Sequence, residues 1–203
     1  LPAAQTRDKN ALNEEQMNAI TQGLANDKKY DIQDELIWGI MLDSANRVGA
    51  IEKLTLSSLD LDNMMFTDIR EKRGYRVEVV FEENTKRLLE EWLETRKEMD
   101  NLEVDAVFIT KKNGEYRAMS KGTIQERIKK MGFIIGLDDF RSHCIRKTTL
   151  NHIYETTGNL ELASEMANHK STEVTRSAYI KPKTKTEVRE KIAKLKAEQN
   201  KKQ

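Results

Sequence analysis

Within SHCIRKTTLNH, Ser142 to His152, a histidine precedes an arginine by three residues. On a helix, side chains three apart share a face, so His143 and Arg146 are expected to point the same way. Two cation-forming groups do not attract each other, so the natural occupant of the space between them is an anion. A guanidinium fork matches the oxygens of a phosphate and stays charged at any physiological pH. An imidazole beside it can take or give a proton near neutrality. Four more residues extend the set: Arg47 in SANRVGAIEKLTLSSLDLD, Lys72 in EKRG, His169, and Tyr179 ten residues later. Each alone has an ordinary explanation, since a helix-start arginine or a turn lysine is usually surface and a lone tyrosine usually core. The information lies in their order.

That order, with strand signals only around the lysine, resembles the tyrosine recombinase family, the phage-integrase type of site-specific recombinase. The first matching motif is RVGAIEKL, Arg47 to Leu54, followed by Leu59-Asp60-Leu61-Asp62. The second is His143-Cys144-Ile145-Arg146-Lys147-Thr148. The third is Ala167-Asn168-His169, followed by Thr172, Thr175 and Tyr179. The resemblance runs from about Asn10 to Tyr179. Four departures stand out. Ala50 replaces an acidic residue that commonly helps hold the active site, Lys147 a frequent histidine, and Asn168 the glycine before the histidine. The interval from His169 to Tyr179 is one longer than is common. Lys72 has rivals in Lys53, Lys86 and Arg73, because the length of the turn varies.

The resemblance implies a metal-independent enzyme that needs no cofactor and cuts and rejoins double-stranded DNA at specific attachment sites, integrating or excising a mobile element. It gives Tyr179 the role of nucleophile. A tyrosine ester stores the phosphodiester bond so that it can be resealed without water. Arg47 and Arg146 would neutralise the charge that builds on the non-bridging oxygens, and Lys72 would protonate the leaving 5′-oxygen. His143 would act as base or proton shuttle, and His169 would donate to a phosphate oxygen. The expected assembly is a homotetramer on DNA joined through the C-terminal tail, with accessory DNA-bending or directionality proteins, in a bacterial or phage-borne, nucleoid-associated, cytoplasmic setting. Two other readings remain open: a type IB topoisomerase-like swivel, and a DNA-binding module that has lost catalysis, which Ala50 favours.

The elements that must position these residues can be read from period and punctuation. Asn13 to Gln16 has capping-box spacing ahead of Met17, Ile20 and Leu24. A second helix opens at Asp31, with Leu36, Ile37, Ile40 and Met41 on its inner face, and a third, short one carries Val48, Ile51 and Leu54. Met64 to Phe81 alternates around Glu71-Lys72-Arg73-Gly74, a hairpin with the lysine in its turn. Thr85 to Met99 is helical, and Val107 to Thr110 is a strand followed by the turn Lys112-Asn113-Gly114. From Ser120 the chain is helical, interrupted at Gly132, Gly136 and Gly158. Leu162 to Ala167 forms a helix ending at Asn168-His169, Ser171 caps a short helix bearing Val174 and Tyr179, and Pro182 ends the domain. Trp38, Trp92 and Cys144 are assigned to the core and His152 to a structural role. The class is α+β, mainly α, with a small antiparallel three-stranded sheet.

Composition sets outer limits. The single cysteine, Cys144, excludes an intrachain disulfide and points to a reducing, intracellular setting. No apolar run reaches the roughly 18 residues of a membrane span. The three histidines and the cysteine show no metal-ligand spacing. Net charge is +1 over 203 residues, but residues 181–203 hold nine Lys/Arg against three Glu, leaving 26 basic and 31 acidic side chains in residues 1–180. A basic tail on an acidic body suits a polyanion contact. Val188, Ile192 and Leu195 also give that tail an apolar stripe. The chain begins LPAAQTRDKNAL, without Met. The expected organisation is a linker remnant of a missing N-terminal DNA-binding domain over 1–12, a catalytic domain over 13–180, and a basic helical tail over 181–203.

Overall fold

A computed structural model describes residues 11–71, 74–99, 102–168 and 185–200. Helix α1 (Glu14–Asn26) starts at the expected capping box, where Asn13 and Gln16 satisfy each other's backbone N–H groups. Helix α2 (Ile32–Ser44) starts at a second box, between Asp31 and Asp34. Leu36, Ile37, Trp38, Ile40 and Met41 are all buried along α2. Too many of its sides are apolar for a surface helix, and it forms the central rod. Helices α1, α4 (Glu83–Lys97), α5 (Lys121–Gly132) and α6 (Ser142–Thr157) pack around it. Helix α3 (Val48–Ile51) is a single turn that follows α2.

Strands β1 (Leu59–Asp60), β2 (Met65–Arg70) and β3 (Arg76–Val80) form the antiparallel three-stranded sheet. Phe66 pairs with Val79 and Ile69 with Val77, so β2 carries one residue more than β3 between these pairs. Strict alternation would turn Ile69 away from the core. The bulge, with Asp68 at φ 62°, resets the register so that Phe66 and Ile69 both face inward. The strand expected at Val107 to Thr110 does not join this sheet. It contributes to a separate hairpin of β4 (Ile109–Lys112) and β5 (Glu115–Ala118). Asn113 (φ 53°) and Gly114 (φ 85°) supply the two left-handed residues of a tight turn there. The buried side-chain amide of Gln33 holds β4 against α2 by exchanging two hydrogen bonds with the backbone of Ile109, at 2.8 and 3.1 Å.

Helix α6 is followed by Gly158 in the left-handed conformation, then by α7 (Leu160–Met166), capped by Asn159. The tail helix α8 spans Lys185–Asn200, within the basic helical tail expected over 181–203. Trp38 and Trp92 are core residues and Cys144 is half-buried against the core. His152 is exposed, because α6 presents that side to solvent, so its structural assignment is corrected. The expected short helix with Ser171, Val174 and Tyr179 lies outside the described residues, as do Arg73, Pro182 and the side chain of Leu195. No helix among the described residues is long and apolar enough to cross a membrane.

Helices α2 and α4 meet at Gly39. A Cβ there would lie 2.6 Å from the hydroxyl oxygen of Thr85, which already donates to Asp43 at 2.6 Å. Burial pushes the Asp43 carboxyl above its usual range, while the donors Thr85 and Glu82 N–H pull it back. Gly39→Ala must therefore separate the two helices or break a buried hydrogen bond, and about 1–3 kcal/mol of stability is expected to be lost. Gly49, with nothing within 4 Å of its own added Cβ, is the control. Gly49→Ala should be neutral or stabilising by up to about 1 kcal/mol. Urea unfolding of the two variants checks the contrast.

Candidate active site

Arg146 organises the site from beneath. Its side chain is buried, at 2% exposure, in the second turn of α6. One guanidinium nitrogen donates to the carbonyl of Ala45 and the other terminal nitrogen to that of Ala167, the latter at 2.6 Å. Ala45 is the C-cap of α2 and Ala167 the C-cap of α7. Helix C-termini carry carbonyls without intrahelical donors and a partial negative charge, so a buried cation between two of them meets both needs. The chain reaches Arg47 two residues after Ala45 and His169 two residues after Ala167. One side chain thus ties together the segments of all three sequence motifs.

The neighbouring contacts reinforce this junction. Asn46, buried, donates from its amide to the carbonyl of Glu78 in β3 at 3.2 Å. Asn168 donates to the Asn46 side chain at 3.4 Å. Asn168 has φ 52°, in the left-handed region. The glycine expected there is explained by that geometry, and asparagine is the commonest non-glycine residue to tolerate it. On α6, Thr149 donates to the carbonyl of Leu42 at 2.7 Å, and Thr148 accepts from the N–H of Leu12 at 2.8 Å.

Arg47 is placed differently. It is the N-cap of α3 in extended conformation, with no side-chain capping bond, and its side chain is half-exposed. Its guanidinium meets Glu71 Oε2 at 3.4 Å. Glu71 follows the last residue of β2, Arg70, and opens the connection to β3. Its N–H donates to the Tyr75 carbonyl at 2.7 Å, and its carbonyl accepts from Gly74, whose φ is 79°. Lys53 donates to the carbonyl of Arg70 at 2.5 Å. Two contacts thus fasten Arg70 and Glu71 to the segment that carries Arg47. Lys53, a rival for Lys72, is committed to that carbonyl, and Lys86 is half-buried on α4.

Of the six residues singled out by sequence, Arg47, His143 and Arg146 are described, while Lys72, His169 and Tyr179 lie outside the described residues. The expected common face of His143 and Arg146 is only partly realised. His143 is exposed in the first turn of α6, whereas Arg146 runs inward beneath the α2–α3 link and α7. Sequence reasoning missed Glu71 and Asn46 as members of the site. For Glu71 the available signal was an acid beside the turn lysine, combined with a carboxylate missing at Ala50. Among the described tyrosines, the hydroxyl of Tyr30 donates to the Lys130 carbonyl at 2.9 Å, and burial raises its pKa. The Tyr116 ring lies under Lys111 and the Tyr154 ring near Lys191. Tyr75 is exposed beside the turn.

Comparisons with known proteins point the same way. The sequence profile described as the phage integrase family matches residues 10–186. Tyrosine recombinase XerS of Streptococcus equi subsp. equi (strain 4047) is 30% identical over 152 residues, which is 73% of this chain and 42% of the recombinase. Among solved structures, XerA recombinase superposes with a TM-score of 0.74 at 19% identity, over 91% of this chain and 64% of that one. The Tn1549 transposon integrase, solved with circular intermediate DNA, gives 0.70 at 17% identity, over 94% and 68%. The chain therefore spans less than half of the XerS relative and under two thirds of XerA.

The two arginines should separate in their effect on folding. Arg146→Ala strands two buried carbonyls and leaves a cavity, and is expected to cost about 2–5 kcal/mol. Arg47→Ala removes only a partly exposed ion pair and should cost no more than about 1 kcal/mol. Denaturant unfolding of both variants checks the difference.

Proposed function

The chain belongs to the phage integrase family, and from that membership we propose that it is a site-specific tyrosine recombinase that cuts and rejoins double-stranded DNA to integrate or excise a mobile element. The observation that carries this reading is the Arg146 bridge, which joins the segments leading to Arg47 and to His169. In the proposed reaction the Tyr179 oxygen attacks the scissile phosphorus and the bond to the 5′-oxygen breaks. The product is a 3′-phosphotyrosyl ester and a free 5′-hydroxyl. His143 takes the tyrosine proton and Lys72 gives one to the departing oxygen. Arg47 and Arg146 stabilise the charge on the non-bridging oxygens, and His169 donates to one of them. A guanidinium has five N–H donors, so one arginine can grip backbone and phosphate together. Rejoining is the same path reversed, with a 5′-hydroxyl from the partner duplex as attacker. In this reading residues 13–180 are the catalytic domain, and residues 1–12 connect it to a separate DNA-binding domain.

Double-stranded DNA as substrate is supported by the DNA-bound state in which the Tn1549 integrase was solved. The DNA flanking the gene supplies the test substrate, as a nicked duplex that traps the covalent intermediate. The unaltered chain should leave a protein–DNA band on a denaturing gel, and mass spectrometry should place the nucleotide on Tyr179. Tyr179→Phe should abolish the band while DNA affinity stays nearly intact. An adduct that survives in the Phe variant, or maps to exposed Tyr75, overturns the assignment. No adduct with the unaltered chain leaves a DNA-binding module.

The tail would join protomers into a tetramer on DNA, on which accessory DNA-bending or directionality proteins could act. Lys191 of α8 lies 5.9 Å from the Tyr154 ring centre of its own domain. Yet Val188 and Ile192 remain 39% and 48% exposed, and an apolar stripe of that kind calls for a cover. Deleting residues from Glu187 onward should weaken assembly on DNA far more than single-site cleavage. Unchanged tetramer formation in analytical ultracentrifugation with DNA removes the tail from this role.

A further inference from the structure

We propose that Glu71 is the positioning residue for Arg47, supplying from the lysine turn the carboxylate that helix α3 lacks. The inference rests on the strand-transfer reading above and adds to it a residue that the motifs do not contain.

The case begins with what Arg47 needs. A long side chain that emerges half-exposed from a helix start has many rotamers, and aiming its fork at a phosphate requires something to hold it. The four residues of α3, Val48-Gly49-Ala50-Ile51, offer no charge. Ala50, one turn along, is fully buried, so that face packs into the core instead of holding the guanidinium. Glu71 is 24 residues away in sequence, but its Oε2 stands 3.4 Å from Arg47 Nη1. The two side chains differ in exposure, 48% for Arg47 and 15% for Glu71. The carboxylate is thus the sheltered, fixed partner and the guanidinium the outward-facing one.

The backbone around Glu71 is hydrogen-bonded on both sides. Its backbone closes the β2–β3 turn through Tyr75 and Gly74, and the preceding carbonyl, of Arg70, is held by Lys53 from the α3 side. Stability does not explain the pair, because a partly exposed, single-contact ion pair is worth about 0–1 kcal/mol. Orientation does. One contact to Nη1 fixes the direction of the fork without surrounding it. Glu71 is also the chain neighbour of Lys72.

Two measurements on the full chain test this. The first needs no substrate: Nε–Hε order parameters from arginine-labelled NMR. In Glu71→Gln the Arg47 guanidinium should become markedly more mobile while backbone shifts outside the turn stay put. An unchanged order parameter overturns the proposal, whatever the protein does to DNA. The second is the rate of covalent adduct formation on the nicked flanking duplex. Glu71→Gln should slow it on the order of tenfold or more, the scale expected when a reacting group is misaimed. In an Arg47→Ala background the same substitution should have no further effect, since coupled residues are non-additive. An equal slowing in both backgrounds means that Glu71 only shapes the turn, and a faster Glu71→Gln enzyme means that it competes with phosphate. Either result overturns the proposal. An unaltered chain that forms no adduct defeats the strand-transfer reading, while the NMR arm still decides the Glu71–Arg47 contact.

Discussion

The constraint on which the site depends is the burial of one guanidinium. Removing an arginine from water is expensive unless its N–H groups find acceptors with good geometry. Arg146 finds them in two carbonyls that would otherwise be orphaned, at the C-terminal ends of α2 and α7. Each side of the bond is costly alone, and together they satisfy each other. The bond also fixes relative position. Helix α2 is the central rod and α6 lies along it, so α7 is located against both by a contact made at its last turn. The residues that follow each C-cap are those expected to meet the phosphate.

Two arginines, chemically identical, are thereby given different duties by their surroundings. Arg146 is sequestered and holds backbone, so its alignment is as rigid as the core around it. Arg47 stands at the surface and faces a single carboxylate, which a more highly charged ligand could complement or displace. Salt screens an exposed pair of this kind and leaves a buried contact almost untouched. Site geometry therefore comes from the inner arginine, and adjustable electrostatics from the outer one.

Much of the frame was legible because it is local. The capping box at Asn13, the helix start at Asp31, the stops at Gly136 and Gly158, and the Asn113-Gly114 turn are written within a few residues of where they act. The order of Arg47, His143 and Arg146 along the chain was likewise enough to carry the family resemblance. What could not be read is non-local. The spacing of His143 and Arg146 gave a shared face, but only packing by α7 and the α2–α3 link decides that one of them is buried. The bulge that keeps Ile69 inward depends on the register with β3, and the pairing of Arg47 with Glu71 on how the hairpin folds over α3. The departure at Asn168, an anomaly as a motif letter, becomes ordinary once its φ of 52° is known.

Backbone strain gathers where the inner arginine sits. Ala45 occupies the left-handed region at φ 53°, a conformation that costs a residue with a Cβ about 1–2 kcal/mol. Its carbonyl is the one that accepts from Arg146, and its neighbour Asn46 is held by β3 and approached by Asn168. The strain persists because these bonds over-determine the turn. Asn168 is the mirror case at the end of α7, left-handed and bonded back to Asn46. Both chain reversals that deliver motif residues to the site are thus held by polar contacts. A glycine at position 45 would relieve the strain but would free the turn in the unfolded chain as well, at a further entropic cost. The alanine keeps the α2–α3 link stiff, and the buried guanidinium is what makes that stiffness tolerable.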